Sequence, residues 1–510
     1  MPAIELLYAV CVTVLGIYGL NSLILTCLYL RHRHDPLPEP DPPAEWPHVT
    51  VQLPIYNELH TVERLLTAVA ALDYPRDRLE IQVLDDSTDV TRQVVAEAVS
   101  CHRAAGVNIV HVTRGDRAGF KAGALAVGLT QARGELIAIF DADFIPPRDF
   151  LRRTVPHFGD PRVGCVQTRW GHLNRDYSLL TRTQALGVDG HFVVEQTARN
   201  RSGLFINFNG TAGVWRRRCI DDAGGWEGDT LTEDLDLSYR AQMAGWRFTY
   251  RNLPVPGEVP ATVSAWRHQQ HRWAKGSIQV TKKLLRRIWT SRWHFGERLC
   301  ATMHMTHYFV HPLLLINMFT APLALLSFAT EVPGWMRAIG MACFTVGIAA
   351  PITLYIASQF ILHGRTGLAR LKSLPALLAV GTGIALSNSL GVWQALRGQV
   401  SPFVRTPKQG SGTGSYRLKG ATGMAELFCG VWAMTGVVVS LLGPHPWLTP
   451  LLALYSSGFI WMWVLCTRER RASEPRPAPT PSALPYLALP GLLLVGGVWA
   501  LSAIGPWREQ

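Results

Sequence analysis

Two acidic clusters, Asp85-Asp86-Ser87-Thr88-Asp89 and Asp141-Ala142-Asp143, each follow a short apolar run rich in β-branched residues. Mg²⁺ and Mn²⁺ take hard carboxylate oxygens and fill their shells with phosphate oxygens and water, so such clusters at strand ends suit a divalent cation bridging a diphosphate. Either cluster alone is better read as a helix N-cap or a turn; together they favour nucleotide binding. Asp85, Asp86, Asp141 and Asp143 are therefore the candidate residues for a nucleotide diphosphate and its metal. Upstream, Tyr56 and Glu58 in Pro54-Ile55-Tyr56-Asn57-Glu58 offer a ring face and a carboxylate to a base and ribose. Lys121, in Gly119-Phe120-Lys121-Ala122-Gly123, stands at a helix start, where an anion is favoured; the two glycines serve that site or helix packing.

Further along, Thr232-Glu233-Asp234 opens a helical pattern, with Thr232 as N-cap and carboxylates in the first turn. Displacement at an anomeric carbon needs a base for the incoming hydroxyl proton. Asp234 among other acids can have its pKa raised enough to serve, with Glu233 beside it in the candidate catalytic set. Gln269-Gln270-His271-Arg272-Trp273 follows on a basic amphipathic segment continuing through Lys275, Lys282, Lys283, Arg286 and Arg287. Most of that charge is expected to face lipid headgroups. Arg272, to neutralise a leaving diphosphate, and Trp273, to stack on a sugar ring, are the exceptions.

The elements that must position these residues alternate. Apolar runs at 49–55, 80–84, 107–112 and 136–140 are separated by helical patterns over roughly 58–71, 90–103 and 119–132. This alternation predicts an α/β, Rossmann-like domain with a parallel sheet and ligand loops past the strand carboxyl ends. Residues 4–30 are long enough for a membrane helix, which takes about 20 residues. A signal peptide fits poorly, because the stretch carries Glu5, lacks a basic start and runs without an A-x-A-like site into Arg31-His32-Arg33-His34. That basic flank places the following domain in the cytosol. Beyond residue 300, spans are expected at 303–330, 338–362, 422–442, 447–466 and 483–503, about six with the first. The apolar stretch 373–396 has basic flanks on both sides and reads as interfacial or re-entrant. The expected division is therefore 1–34 membrane helix, 35–47 proline-rich linker, 48–300 cytosolic catalytic domain and 301–510 membrane region, with a cytosolic loop at 397–420.

The 510 residues are 48% hydrophobic with a mean hydropathy of +0.11, above what a soluble enzyme usually shows. The net charge of +12 sits largely beside the hydrophobic runs, which points to anionic lipid and not to nucleic acid. Nine Cys without a CxxC pair predict neither zinc nor disulfides. No internal repeat is evident, which weighs against a transporter built from inverted halves.

The ordered series QLPIYNE, QVLDDSTD, GFKAGAL, FDADF, FNGTAGVWR, TEDLDL and QQHRW resembles the processive family 2 glycosyltransferases of the cellulose synthase superfamily, most of all the cellulose-synthase-like mannan and glucan synthases. The resemblance is dense over roughly 48–280. It implies a GT-A-type catalytic domain embedded in a helical membrane protein of the cell membrane, passing sugar from UDP-glucose or GDP-mannose to a growing β-glycan with Mg²⁺ or Mn²⁺. It implies that Asp85 and Asp141 hold the nucleotide, Asp143 the metal, that Asp234 is the base, and that Gln269, Arg272 and Trp273 line the acceptor end. Phe208, Asn209, Gly210 and Thr211 would hold the acceptor terminus. Phe403-Val404-Arg405-Thr406-Pro407-Lys408 is similar to the family's gating loop FxVTxK, keeping Phe403, Thr406 and Lys408 but placing Arg405 where Val is usual. Polymer export through the chain's own helices would follow, with accessory secretion proteins or a homo-oligomer left open as partners. The alternatives are a single-sugar transferase making a glycolipid and a transporter that only binds a nucleotide.

Overall fold

The computed structural model describes residues 2–35, 39–327, 334–400, 423–443 and 446–473. After helix α1 (Pro2–His32), a seven-stranded sheet forms from β1 (Val49–Ile55), β2 (Leu79–Asp85), β3 (Ile109–Thr113), β4 (Leu136–Ile139), β5 (Val163–His172), β6 (Gly213–Arg216) and β7 (Arg247–Gly257). The strand order is β3-β2-β1-β4-β6-β5-β7. Helices α2 (Val62–Ala70), α3 (Thr91–Ala104) and α4 (Phe120–Gln131) connect the first four strands. Those strands pair in parallel, as the alternation predicts. The sheet as a whole is mixed, because β6 runs antiparallel to both β4 and β5.

Near-continuous apolar strands follow from burial on both faces. β1 and β2 are buried almost throughout, with Val51, Leu53, Ile81 and Val83 in one core layer and Leu84, Leu125, Ile137 and Trp215 in the other. The parallel order turns the carboxyl ends of β1, β2 and β4 toward one edge. The segments after them, 56–58, 86–89 and 141–144, therefore share one rim.

Among the described residues five helical stretches are long and apolar enough to cross a membrane: Ala3–His32, Phe295–Leu326, Gly340–Gly383, Met424–Leu442 and Thr449–Ala472. The stretch expected at 483–503 lies outside the described residues, as do Phe403, Thr406 and Lys408. Residues 373–396 form two short helices, Leu374–Gly383 and Ala385–Leu396, of 10 and 12 residues. Neither alone reaches the roughly 20 residues of a span. The second lies along the helix Val263–Trp289, where His271 bonds the Ser387 carbonyl at 2.8 Å. This contact ties the helix Val263–Trp289 to the apolar helices that follow it.

Candidate active site

Each strand end delivers its chemistry by a local turn. After β4, Phe144 N–H donates to the Asp141 carbonyl at 3.1 Å, and this turn puts Asp141 and Asp143 on one cavity wall. Asp141 is further fixed by its own N–H, which donates to Thr211 Oγ1 at 2.9 Å. Lys121 stands in the first turn of α4, which Gly119 starts in the left-handed conformation. Its Nζ lies 2.6 Å from Asp141 Oδ1 and 2.8 Å from the Gly210 carbonyl. Burial lowers the Lys121 pKa, but Asp141, Glu233 and Asp234 outweigh it and keep the amine charged.

Asp234 opens the helix Glu233–Met243, and its Oδ1 accepts from Leu235 N–H at 2.8 Å. Thr232 holds the N-cap position, yet its hydroxyl makes no capping bond. Asp234 Oδ2 faces Gly210: a Cβ built on that glycine would meet it at 2.9 Å. Burial and the neighbouring Glu233 carboxylate push the Asp234 pKa up to about 7, against the pull of Lys121 and Arg272. A carboxyl poised there can take a proton near neutrality.

Gln269, Arg272 and Trp273 sit three and four residues apart on the helix Val263–Trp289, so they share one face, and all line the same cavity. Gly276 lets that helix approach the Thr232 backbone closely, which sets this face against Glu233 and Asp234. Trp273 also stands 6.4 Å from Trp170 at the end of β5. Tyr56 and Glu58 join from β1 and Asp86 from β2.

Three expected site residues take other places. Asp85 does not reach the cavity: its buried carboxylate accepts from Ser87 N–H at 2.8 Å and meets His111 Nε2 at 2.9 Å. Burial raises its pKa, but these partners hold it below the usual carboxylate range. Asp85 thus shapes the loop that presents Asp86, itself clasped by both arms of Arg114 at 2.8 and 2.5 Å. Phe208 and Thr211 are fully buried. The Phe208 ring packs on Trp215, so the extended backbone turns Asn207 and Asn209 to the cavity instead. Nor does the basic run as a whole face outward. Lys275 is buried, Lys282 Nζ donates to the Ala395 and Leu396 carbonyls, and Lys283 Nζ reaches Glu227, Asp229 and Asp236 at 2.5, 2.9 and 3.2 Å. That acid trio is ion-paired, Asp229 with Lys283, and Glu227 and Asp236 with both Lys283 and Arg240.

Sequence reasoning missed Arg117, whose guanidinium covers the Tyr56 ring at 3.3 Å from its centroid. Trp170, His172, His191, Glu195 and Arg199 also line the cavity. No motif flags them, because they come from the end of β5 and from a helical segment whose acids and glycines are not clustered at a strand end or helix start.

Residues 47–276 match the family model described as glycosyltransferase like family 2. This stretch is a family 2 glycosyltransferase domain. The chain is 41% identical over 312 residues to glucomannan 4-beta-mannosyltransferase 1 of Oryza sativa subsp. japonica, covering 56% of this chain and 59% of that protein. It is 43% identical over 267 residues to glucomannan 4-beta-mannosyltransferase 2 of Arabidopsis thaliana, covering 51% and 50%. The chain thus spans about half the length of these curated relatives. Both names fall on the mannan-synthase side of the cellulose-synthase-like resemblance. Among solved structures, the mannosyltransferase PcManGT from Pyrobaculum calidifontis in complex with GDP-Man and Mn²⁺ aligns at a TM-score of 0.51 and 24% identity, over 71% of this chain and 99% of that one. The glycosyltransferase domain shares that fold.

Proposed function

We propose that the chain is an inverting hexosyltransferase of the membrane that builds a β-1,4-linked glycan from a nucleoside diphosphate sugar, with GDP-mannose the leading donor and UDP-glucose the second. The observation that carries this reading is a single cavity of about 830 Å³. It is lined at one end by Asp86, Asp141, Asp143 and Asp234 and at the other by Tyr18, Leu314, Phe344 and Tyr455 of the membrane helices. The donor preference is supported by the names of the plant relatives and by the GDP-Man bound to the archaeal neighbour.

In this reading the nucleotide lies over the rim formed by Tyr56, Glu58, Asp86 and Arg117. Asp141 and Asp143 fit a divalent cation, since both are hard oxygen donors held on one turn, and such an ion supplies charge neutralisation for the departing diphosphate. Lys121 and Arg272 add fixed positive charge on the same wall. Asp234 accepts the proton of the acceptor hydroxyl as it attacks the α-linked anomeric carbon in line. Trp273 offers its ring face to the acceptor sugar. The polymer then leaves between the membrane helices, from a cytosolic catalytic domain.

The test is product formation by purified protein in nanodiscs with Mn²⁺ or Mg²⁺ and a panel of labelled UDP- and GDP-sugars, followed by linkage-specific glycanases. A long β-1,4-linked polymer from one donor, lost in Asp234→Asn, supports the synthase reading. A lipid-extractable product of one or two sugars refutes polymerisation and makes this a glycolipid transferase.

A further inference from the structure

Beyond Asp234 the cavity wall is built by an irregular stretch of helix. Residues Gly190–Gln196 wind as a π-helix between the α-helices Leu179–Asp189 and Thr197–Arg201. Such segments are rare and recur where a side chain must be aimed at a site. Here the side chains delivered are His191 and Glu195.

Their hydrogen bonds form one connected set with a defined direction. Gln196 Nε2 donates to the backbone carbonyl of Asn207 at 2.9 Å, which fixes the orientation of that amide, and also to Asn209 Oδ1 at 2.8 Å. Asn209 therefore presents its Nδ2 to His191 Nε2, 3.1 Å away. His191 accepts at Nε2, so its proton sits on Nδ1 and is donated to Glu195 Oε2 at 2.8 Å. The second oxygen of Glu195 accepts no hydrogen bond from a described residue. Burial raises the Glu195 pKa, but the His191 bond and the nearby Arg199 charge outweigh it, so the group is an anion at neutral pH.

One turn further on, Arg199 is 2% exposed and lines the same cavity. Its Nη1 donates to the Cys300 carbonyl at 3.5 Å, and its Nε has no hydrogen-bond partner among the described residues. A buried donor without a partner needs an explanation, and a bound ligand with acceptor atoms is one. An ionised acceptor and a charged donor side by side match a sugar, each of whose hydroxyls can both give and take a hydrogen bond.

The place along the path follows from the backbone. Asn209, which orients His191, is bonded to Gly210, which rests on Asp234 Oδ2. Glu195 is thus linked to Gly210 through two hydrogen bonds and one peptide unit, and lines the same cavity as Asp234.

We propose that Glu195, oriented by His191 and Asn209, accepts the hydroxyls of the acceptor sugar next to the chain end, with Arg199 donating to the same ring. This assignment rests on the transferase reading above and adds the residues that select and hold its acceptor. Asp234 performs the proton transfer; Glu195 holds a non-reacting part of the acceptor and so acts on acceptor affinity.

The experiment uses full-length protein in nanodiscs with whichever donor supports transfer, β-1,4-linked mannotetraose as acceptor, and Glu195→Gln beside Glu195→Asp. Glu195→Gln keeps the shape and the single acceptor oxygen that His191 uses, but loses the charge. The expected result is an acceptor KM raised about tenfold or more, as for a lost charged hydrogen bond. Donor KM should stay within about twofold, acceptor-free donor hydrolysis should be unchanged, and Glu195→Asp should recover part of the loss. Direct titration of mannotetraose without donor should show the same weakening. An unchanged acceptor KM overturns the assignment, and so does a parallel fall of hydrolysis and transfer, which would mark a purely structural role. A wild-type protein that transfers from no donor of the panel removes the transferase reading itself, a result separate from a failure of Glu195.

Discussion

Replacing Glu233 by Gln tests the electrostatics that poise Asp234. Glu233 is the largest charge effect raising that pKa, second only to burial, and the result of all contributions is a value of about 7. Repulsion from a neighbouring like charge at an effective dielectric of about 20 to 40 is worth roughly 1–2 kcal/mol, or about one pH unit. Removing Glu233 removes a term that disfavours the anion, so the Asp234 pKa must fall. A base works ionised, so activity is lost as pH drops through its pKa. The acid limb of kcat/KM, which reports the free enzyme, should move from a midpoint near 7 to one about a unit lower. At pH 6 the ionised fraction then rises from about one tenth to about one half. The assay is the initial rate of sugar transfer between pH 5 and 9 at subsaturating donor, with each curve scaled to its own plateau so that any change in maximal rate drops out. An acid limb that stays where it was, or moves to higher pH, would refute the assignment of Asp234 as the base under Glu233 control.

Gly210 has φ +82°, and an added Cβ would lie 2.9 Å from Asp234 Oδ2 and 3.4 Å from Lys121 Nζ. Gly210→Ala should therefore cost at least tenfold in kcat, together with about 1–2 kcal/mol of left-handed strain, read from transfer rates and a melting curve. Chelation with EDTA should abolish transfer and Mn²⁺ should restore it, while Asp143→Asn should need far more Mn²⁺ for half-maximal rate; full activity in EDTA would remove the cation from the scheme. Gly458 lets the helix Thr449–Ser473 touch Thr382 and the Ala379 carbonyl on Leu374–Gly383. Gly458→Ala should destabilise the protein by about 1–3 kcal/mol through overpacking, seen as a lower melting temperature in detergent.

Local pattern settled a good deal by itself. The four parallel strands, their helices, the acidic turns after β2 and β4 and the position of Asp234 at a helix start are all written in short stretches, because strand alternation and turn chemistry act over a few residues. The membrane stretches were legible for a related reason, since hydrocarbon demands long apolar runs wherever they fall. Tertiary structure decided which of the motif residues face the cavity. Asp85 and Asp86 are neighbours of the same type, yet the twist of one backbone step buries the first on His111 and exposes the second to the site. Alternation sends Phe208 inward and Asn209 outward, and the turn at Gly210, with φ +82°, then buries Thr211, which no composition rule distinguishes. Lys283, one charge in an apparently lipid-facing run, is claimed by three acids brought from residues 227 to 236. Sequence thus determined the kinds of chemistry available and the elements that carry them. Only packing between distant segments decided which groups meet, because burial, ion pairing and the pKa of Asp234 depend on neighbours far away along the chain.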